Sequence, residues 1–332
     1  MIVTNYEKVR AVYERAAREG WVLPCFCSEN QTTTEAVLAA AQERGRQLGR
    51  PVPVILAITV NYGHRSQAPN YACAKDWRTG LKLFRDDAEI LAGPGGPYED
   101  VETLIHLDHV QFDLDAELLE GDLSPYSSVM YDASALPFAE NMARTAEFVR
   151  RHKGRILIEG ACDEIVDAGG AAGNELTTPD RAKEYAAKTG VDMMVANLGT
   201  EHRASGKDLH YHGELAREIR RAVGPMLVLH GASSVSEDQI ADLFQDGICK
   251  VNIWTALERD SSPVLFEALV RQASKAAGPA AVDRLIAEGY LTEKCRTGEK
   301  QSLAVFTEFY RRSVVFEAMK KLTLSYLELW YR

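Results

Sequence analysis

Eight times along this chain of 332 residues, a short apolar run rich in β-branched side chains gives way to a turn and then to a stretch of helical periodicity. The runs are WVLPCFC (21–27), PVPVILAI (51–58), ETLIHLDH (102–109), SSVMYDA (127–133), RILIEGA (155–161), DMMVANLG (192–199), PMLVLHG (225–231) and GICKVNI (247–253). They are almost continuously hydrophobic, as strands covered on both faces must be. Between them, residues 32–49, 137–153, 178–190 and 212–224 repeat their apolar side chains near every 3.6 positions. The third of these opens on Thr178-Pro179 and closes on Gly190, a start and a stop with a physical basis in capping. The segment SEDQIADLFQDG (236–247) also reads as a helix. Eight strand–helix alternations in one chain predict an α/β fold, a (β/α)8 TIM barrel, with a doubly wound open sheet as the competing arrangement. The barrel is expected over 1–256, with 257–332 a helical extension. Its aromatics, among them Phe306, Phe309, Tyr310, Phe316, Tyr326 and Trp330, must pack on the barrel or form a subunit interface.

Charge and composition narrow the function. With 48 acidic against 38 basic residues the formal charge is −10, which disfavours nucleic acid and an anionic membrane as main partners. A small anionic substrate stays open, because local donors can hold a phosphate on an acidic protein. No run approaches the roughly 18 apolar residues of a membrane span. The first twenty residues are charged and amphipathic rather than leader-like, so the expected compartment is cytoplasmic. Six scattered cysteines without a CxxC pair read as free buried thiols rather than as disulfides or a zinc knuckle.

Active sites of such barrels lie at the C-terminal ends of the strands. Three histidines fall at or just beyond those ends: His109 after the third run, His202 after the sixth and His230 after the seventh. Three imidazoles with an open fourth position suit catalytic zinc, and other borderline metals as well. The bland alternative is that each is a hydrogen-bonded strand-end residue. Asp108 adjoins His109 and is read either as a proton carrier beside the metal or as a carboxylate that orients a histidine. The turn Gly231-Ala232-Ser233-Ser234 leads into the 236–247 stretch and could free backbone N–H groups for an anion. His210 and His212 read as solvated loop residues.

At these positions the sequence resembles the class II, metal-dependent fructose-bisphosphate and tagatose-bisphosphate aldolase family. The resemblance runs in order through HLDH (106–109), SSVMYDASALPFAEN (127–141), ILIEG (156–160), LTTPDRAKEYAAKTGVDMMVANLGTEH (176–202), PMLVLHGASS (225–234) and GICKVNIWT (247–255). It implies His109, His202 and His230 as ligands of Zn2+ or another divalent metal, with a monovalent cation as a further ion. It implies Asp108 as the proton carrier at the hydroxyl whose carbon–carbon bond breaks, with a metal-stabilised enediolate left on a dihydroxyacetone phosphate half. Thr59, Gly231, Ser233, Asn252 and Thr255 match positions that hold the donor and its phosphate. The lid glutamate that follows a Gly-Gly pair in the family is missing from Gly169-Gly170-Ala171; Glu175 is the nearest substitute. Further departures are Cys27, Val110, Ala161, Arg203, Ala232, Ser234 and Trp254. Arg203 and Trp254 are read as reshaping the pocket or adding an anion contact, against drift on a loop rim. With the proposed ligands kept and the substrate-facing shell changed, the expectation is a specialised aldolase, a lyase joining or cleaving a sugar phosphate and an aldehyde, in a homodimer or homotetramer. The alternatives are a metal-dependent lyase using another donor and a non-catalytic sugar-phosphate-binding paralogue.

Overall fold

A computed structural model describes residues 1–63, 65–164, 176–200 and 211–332. Eight parallel strands close into a barrel in sequence order: β1 (Leu23–Cys27), β2 (Pro53–Thr59), β3 (Glu102–Gln111), β4 (Ser128–Asp132), β5 (Leu157–Ala161), β6 (Met193–Val195), β7 (Leu227–Leu229) and β8 (Ile248–Ile253). Closure is made by β1 against β8, with Cys25 opposite Asn252. Each strand lies inside or on one of the eight apolar runs, and nearly all strand residues are buried, as the continuous hydrophobicity requires.

The helices follow the local signals. Asn5, Asn30, Asp76 and Thr178 each accept a hydrogen bond from the backbone N–H three residues on, which satisfies a donor the first helical turn leaves unpaired. Gly20, Gly49 and Gly190 stop three helices in the left-handed conformation. One expected helix is mostly absent. Within 236–247 only Glu237–Ile240 is helical, and turns complete the segment. There the indole N–H of Trp330 donates to the Ile240 carbonyl at 3.0 Å, the acceptor that a continuing helix would offer to Phe244.

Trp330 ends the long C-terminal helix Glu308–Trp330, which lies against helices Gln31–Leu48 and Thr255–Arg271. Leu327, Trp330 and Tyr331 are buried on the barrel, whereas Phe306 and Phe309 stay exposed on the chain. The six cysteines form no disulfide; Cys25, Cys27 and Cys162 are buried, but Cys73 is exposed and Cys249 and Cys295 are half-buried, contrary to a uniformly buried set. Among the described residues no helix is long and apolar enough to cross a membrane.

Candidate metal centre

The third apolar run was expected to end at His109, but β3 continues to Gln111, and it does so through a bulge. Leu107 pairs with Val129 and Val110 with Tyr131, so Asp108 and His109 together oppose the single residue Met130. His109 absorbs the extra residue at φ 46°, a left-handed conformation uncommon for a non-glycine residue. In a regular strand neighbouring side chains leave on opposite faces. The bulge breaks that alternation, so both Asp108 and His109 line the cleft at the C-terminal mouth of the barrel. His230 enters from the residue after β7. One donor atom from each of Asp108, His109 and His230 lies within 4.8 Å of the others, the one such grouping among the described residues.

Carboxylates fix both rings. His109 Nδ1 meets Asp132 Oδ2 at 2.8 Å, from the end of β4, and His230 Nε2 meets Glu159 Oε1 at 3.2 Å, from β5. The remaining nitrogens, His109 Nε2 and His230 Nδ1, face each other at 3.0 Å. Glu159 is bound in turn by Lys250 Nζ at 2.7 Å, and Lys250 also reaches His106 Nε2 at 3.1 Å. His106, Glu159 and Lys250 are wholly buried, a polar layer where such barrels usually stack branched aliphatics. Above it, Asp108 accepts from Asn252 Nδ2 at 2.9 Å and from the Cys27 thiol at 3.4 Å.

The electrostatics follow from this packing. Burial alone would raise the Asp108 pKa, but the His109, His106 and His230 rings outweigh it and hold the carboxyl well below its usual range. Burial would likewise raise Glu159, yet the Lys250 ammonium and His230 bring it down to about 2. For His109 burial works against the charged form and is overcome by Asp108 and Asp132, so its pKa is raised; for His230 burial prevails and its pKa is lowered. Burial, then Asp108, pushes the Cys27 thiol far up, leaving it a neutral donor. Two imidazoles, each anchored through its second nitrogen by a carboxylate, beside a third carboxylate, make a donor set that suits zinc or a similar divalent cation.

The cleft above this floor is lined by polar and aromatic side chains, as small-molecule sites are. Of the residues singled out from sequence, Thr59, Asp108, His109, His230, Gly231, Ser233, Asn252 and Thr255 all line it. Gly231 turns in the left-handed region at φ 69° and starts the short 3-10 turn Ala232–Ser234. The Asn252 side-chain oxygen is buried without a hydrogen-bond partner, an acceptor at the cleft wall. The Thr59 hydroxyl donates to the Arg65 carbonyl and accepts from Gln67 N–H at 3.0 Å, which ties the loop after β2. His202, Arg203, Glu175 and His210 lie outside the described residues. His212 is exposed at the start of helix Gly213–Val223.

Several contributors had no assigned role in the sequence. Asp132 ends β4 and could have been found by the strand-end rule that singled out the histidines. Tyr62 and Arg65 sit on the irregular loop after β2, where no periodicity points to them. Arg65 pairs with Glu29 and lies over the Trp254 ring at 4.8 Å, so the loops after β1, β2 and β8 are joined along one wall of the cleft.

Comparison with known proteins agrees with this architecture. Residues 7–310 match the family model described as fructose-bisphosphate aldolase class-II. The fold is similar to the YdjI aldolase from Escherichia coli K12, with a TM-score of 0.64 at 21% identity over 97% of this chain and 96% of that one. A putative fructose-1,6-biphosphate aldolase from Coccidioides immitis gives 0.67 at 21% identity over 96% and 94%. Fructose-bisphosphate aldolase from Campylobacter jejuni gives 0.75 at 17% identity over 99% and 95%.

Proposed function

The chain belongs to the class II fructose-bisphosphate aldolase family, and from that premise we propose that it is a zinc-dependent aldolase joining dihydroxyacetone phosphate, or a close analogue, to an aldehyde. The observation that carries this reading is the convergence of His109 and His230 beside Asp108 on the floor of an open cleft. In this proposal His109 and His230 hold the cation, with His202 as a third ligand. A divalent cation supplies a Lewis acid that polarises the donor's carbonyl and neighbouring hydroxyl. The chain's own groups do the rest.

Asp108 is held anionic, and its two oxygens are oriented by Asn252 and Cys27. In cleavage it takes the proton from the hydroxyl on the acceptor carbon, that oxygen becomes the aldehyde, and the bonding pair passes to the donor half. In synthesis Asp108 returns the proton. The donor carbon exchanges its proton with a second group, for which Glu175 is the proposed residue. Ser233 and the backbone at Gly231 would receive the phosphate, with Asn252 and Thr255 along the same wall. Thr59 would act by holding the loop, and Arg203 is retained as a proposed anion contact. Trp254 and Cys27 alter the substrate-facing wall and support an acceptor other than glyceraldehyde 3-phosphate. The proposed catalytic unit is 1–256, with 257–332 supporting it, in a homodimer or homotetramer.

Proton exchange at the hydroxymethyl carbon of dihydroxyacetone phosphate in D2O, followed by NMR with and without EDTA, tests the proposal. Exchange abolished by EDTA and restored by zinc is the expected result. No exchange by a zinc-loaded protein would refute this donor and favour another donor or a binding role.

A further inference from the structure

The His109 imidazole is restrained on more sides than its hydrogen bonds. The ring of Tyr62 lies flat on one face, with centroids 4.1 Å apart and planes within 6° of parallel, while His230 meets His109 edge-on at 4.7 Å and 83°. Tyr62 comes from neither strand nor helix. Hydrogen bonds tie the chain on both sides of Tyr62. Upstream, the buried carboxylate of Asp115 accepts from Asn61 N at 3.2 Å and Asn61 Nδ2 at 2.8 Å through one oxygen, and from Gln111 N at 2.9 Å through the other. That ties the start of the loop to the end of β3, two residues past His109. Downstream, the Ser66 hydroxyl donates to the Tyr62 carbonyl at 2.9 Å, and Gln67 and Thr59 exchange hydrogen bonds at 3.0 Å in each direction.

We propose that Tyr62 is a positioning residue for the metal centre: stacked on His109 and anchored through Asp115, it keeps the imidazole aimed at His230 and slows loss of the bound cation. The inference rests on the metal-dependent reading above. Rotation of the His109 ring about its Cβ–Cγ bond would break the stack as well as the Asp132 contact, so the two restraints act on the same motion. An imidazole that donates a lone pair to a cation becomes electron-poor, which strengthens its attraction to the electron-rich phenol face. Groups that orient a ligand from outside the coordination sphere typically change metal affinity about 10–100-fold. Because the stack needs a ring and not a hydroxyl, phenylalanine should serve.

The experiment follows zinc release from the loaded full-length protein into excess EDTA, with stopped aliquots read by a zinc indicator. Melting of the zinc-free proteins is measured alongside. Tyr62→Leu is expected to release zinc about tenfold faster or more, Tyr62→Phe to match wild type, and Asp115→Ala to resemble Tyr62→Leu. Wild-type release from a Tyr62→Leu protein that loads zinc normally would overturn this inference and leave the metal-dependent reading standing. Fast release from Tyr62→Phe would also overturn it, by assigning the effect to the hydroxyl. If wild type itself takes up no zinc, both readings fail together. Should Tyr62→Leu not fold, Asp115→Ala carries the same expectation and the same refutation.

Discussion

Replacing Lys250 with methionine tests the polar layer beneath the cleft. Lys250 and Glu159 are both 0% exposed and are joined at 2.7 Å, so the substitution leaves a buried carboxylate without its cation. Breaking a buried pair from one side typically costs about 3–5 kcal/mol. Lys250 is the largest influence drawing the Glu159 pKa down from its ordinary 4.5 to about 2 against burial. A loss of about 3–5 kcal/mol is a large share of a typical total of about 5–15 kcal/mol. Urea unfolding of the zinc-free protein at pH 7 should therefore show Lys250→Met destabilised by about 3 kcal/mol. Lys250→Met/Glu159→Gln should recover part of that loss, because the orphaned charge is gone. The pH dependence has a definite sign. A carboxylate whose folded pKa is depressed adds stability that is complete above its unfolded pKa of 4.5 and is lost as pH falls through about 2. The gap between wild type and Lys250→Met should accordingly close across that acid window. A cost under about 1 kcal/mol at pH 7, or a double variant no more stable than Lys250→Met, would refute the argument.

Two other substitutions probe separate parts of the molecule. On the proposed function, Asp108→Ala should lower carbon–carbon cleavage by about 10²–10⁴-fold and leave zinc binding intact; zinc binding lost in the variant, measured by elemental analysis, would instead make Asp108 a ligand. Trp330→Ala should cost about 3–5 kcal/mol in urea unfolding, since it removes a buried indole and its bond to the Ile240 carbonyl; a loss under about 1 kcal/mol would show that the C-terminal helix does not need that anchor.

The barrel was legible because its signals are local. An apolar run of strand length followed by a capped amphipathic stretch is written in consecutive residues, and all eight strands fall where those runs lie. The strand-end rule likewise picked out His109, Asp108 and His230, since parallel strands present their C-terminal ends to one mouth. The 236–247 segment has helical periodicity, but Trp330, about ninety residues away, takes the carbonyl its second turn would use. No local pattern announces such a contact.

The same division runs through the site. Residue types and their strand-end positions are properties of the chain order, and they place a group able to bind a metal near one mouth of the barrel. Which partner holds which atom is a matter of register between strands. Asp132 meets His109 because β4 pairs with β3 across a bulge, and Lys250 meets Glu159 because the closed sheet turns both side chains into one interior. In sequence Lys250 is a single charge within an apolar run, and Tyr62 is one aromatic in an irregular loop. Local periodicity encodes backbone conformation over a few residues, whereas a hydrogen bond or ring stack between distant segments exists only once closure has fixed their separation and facing.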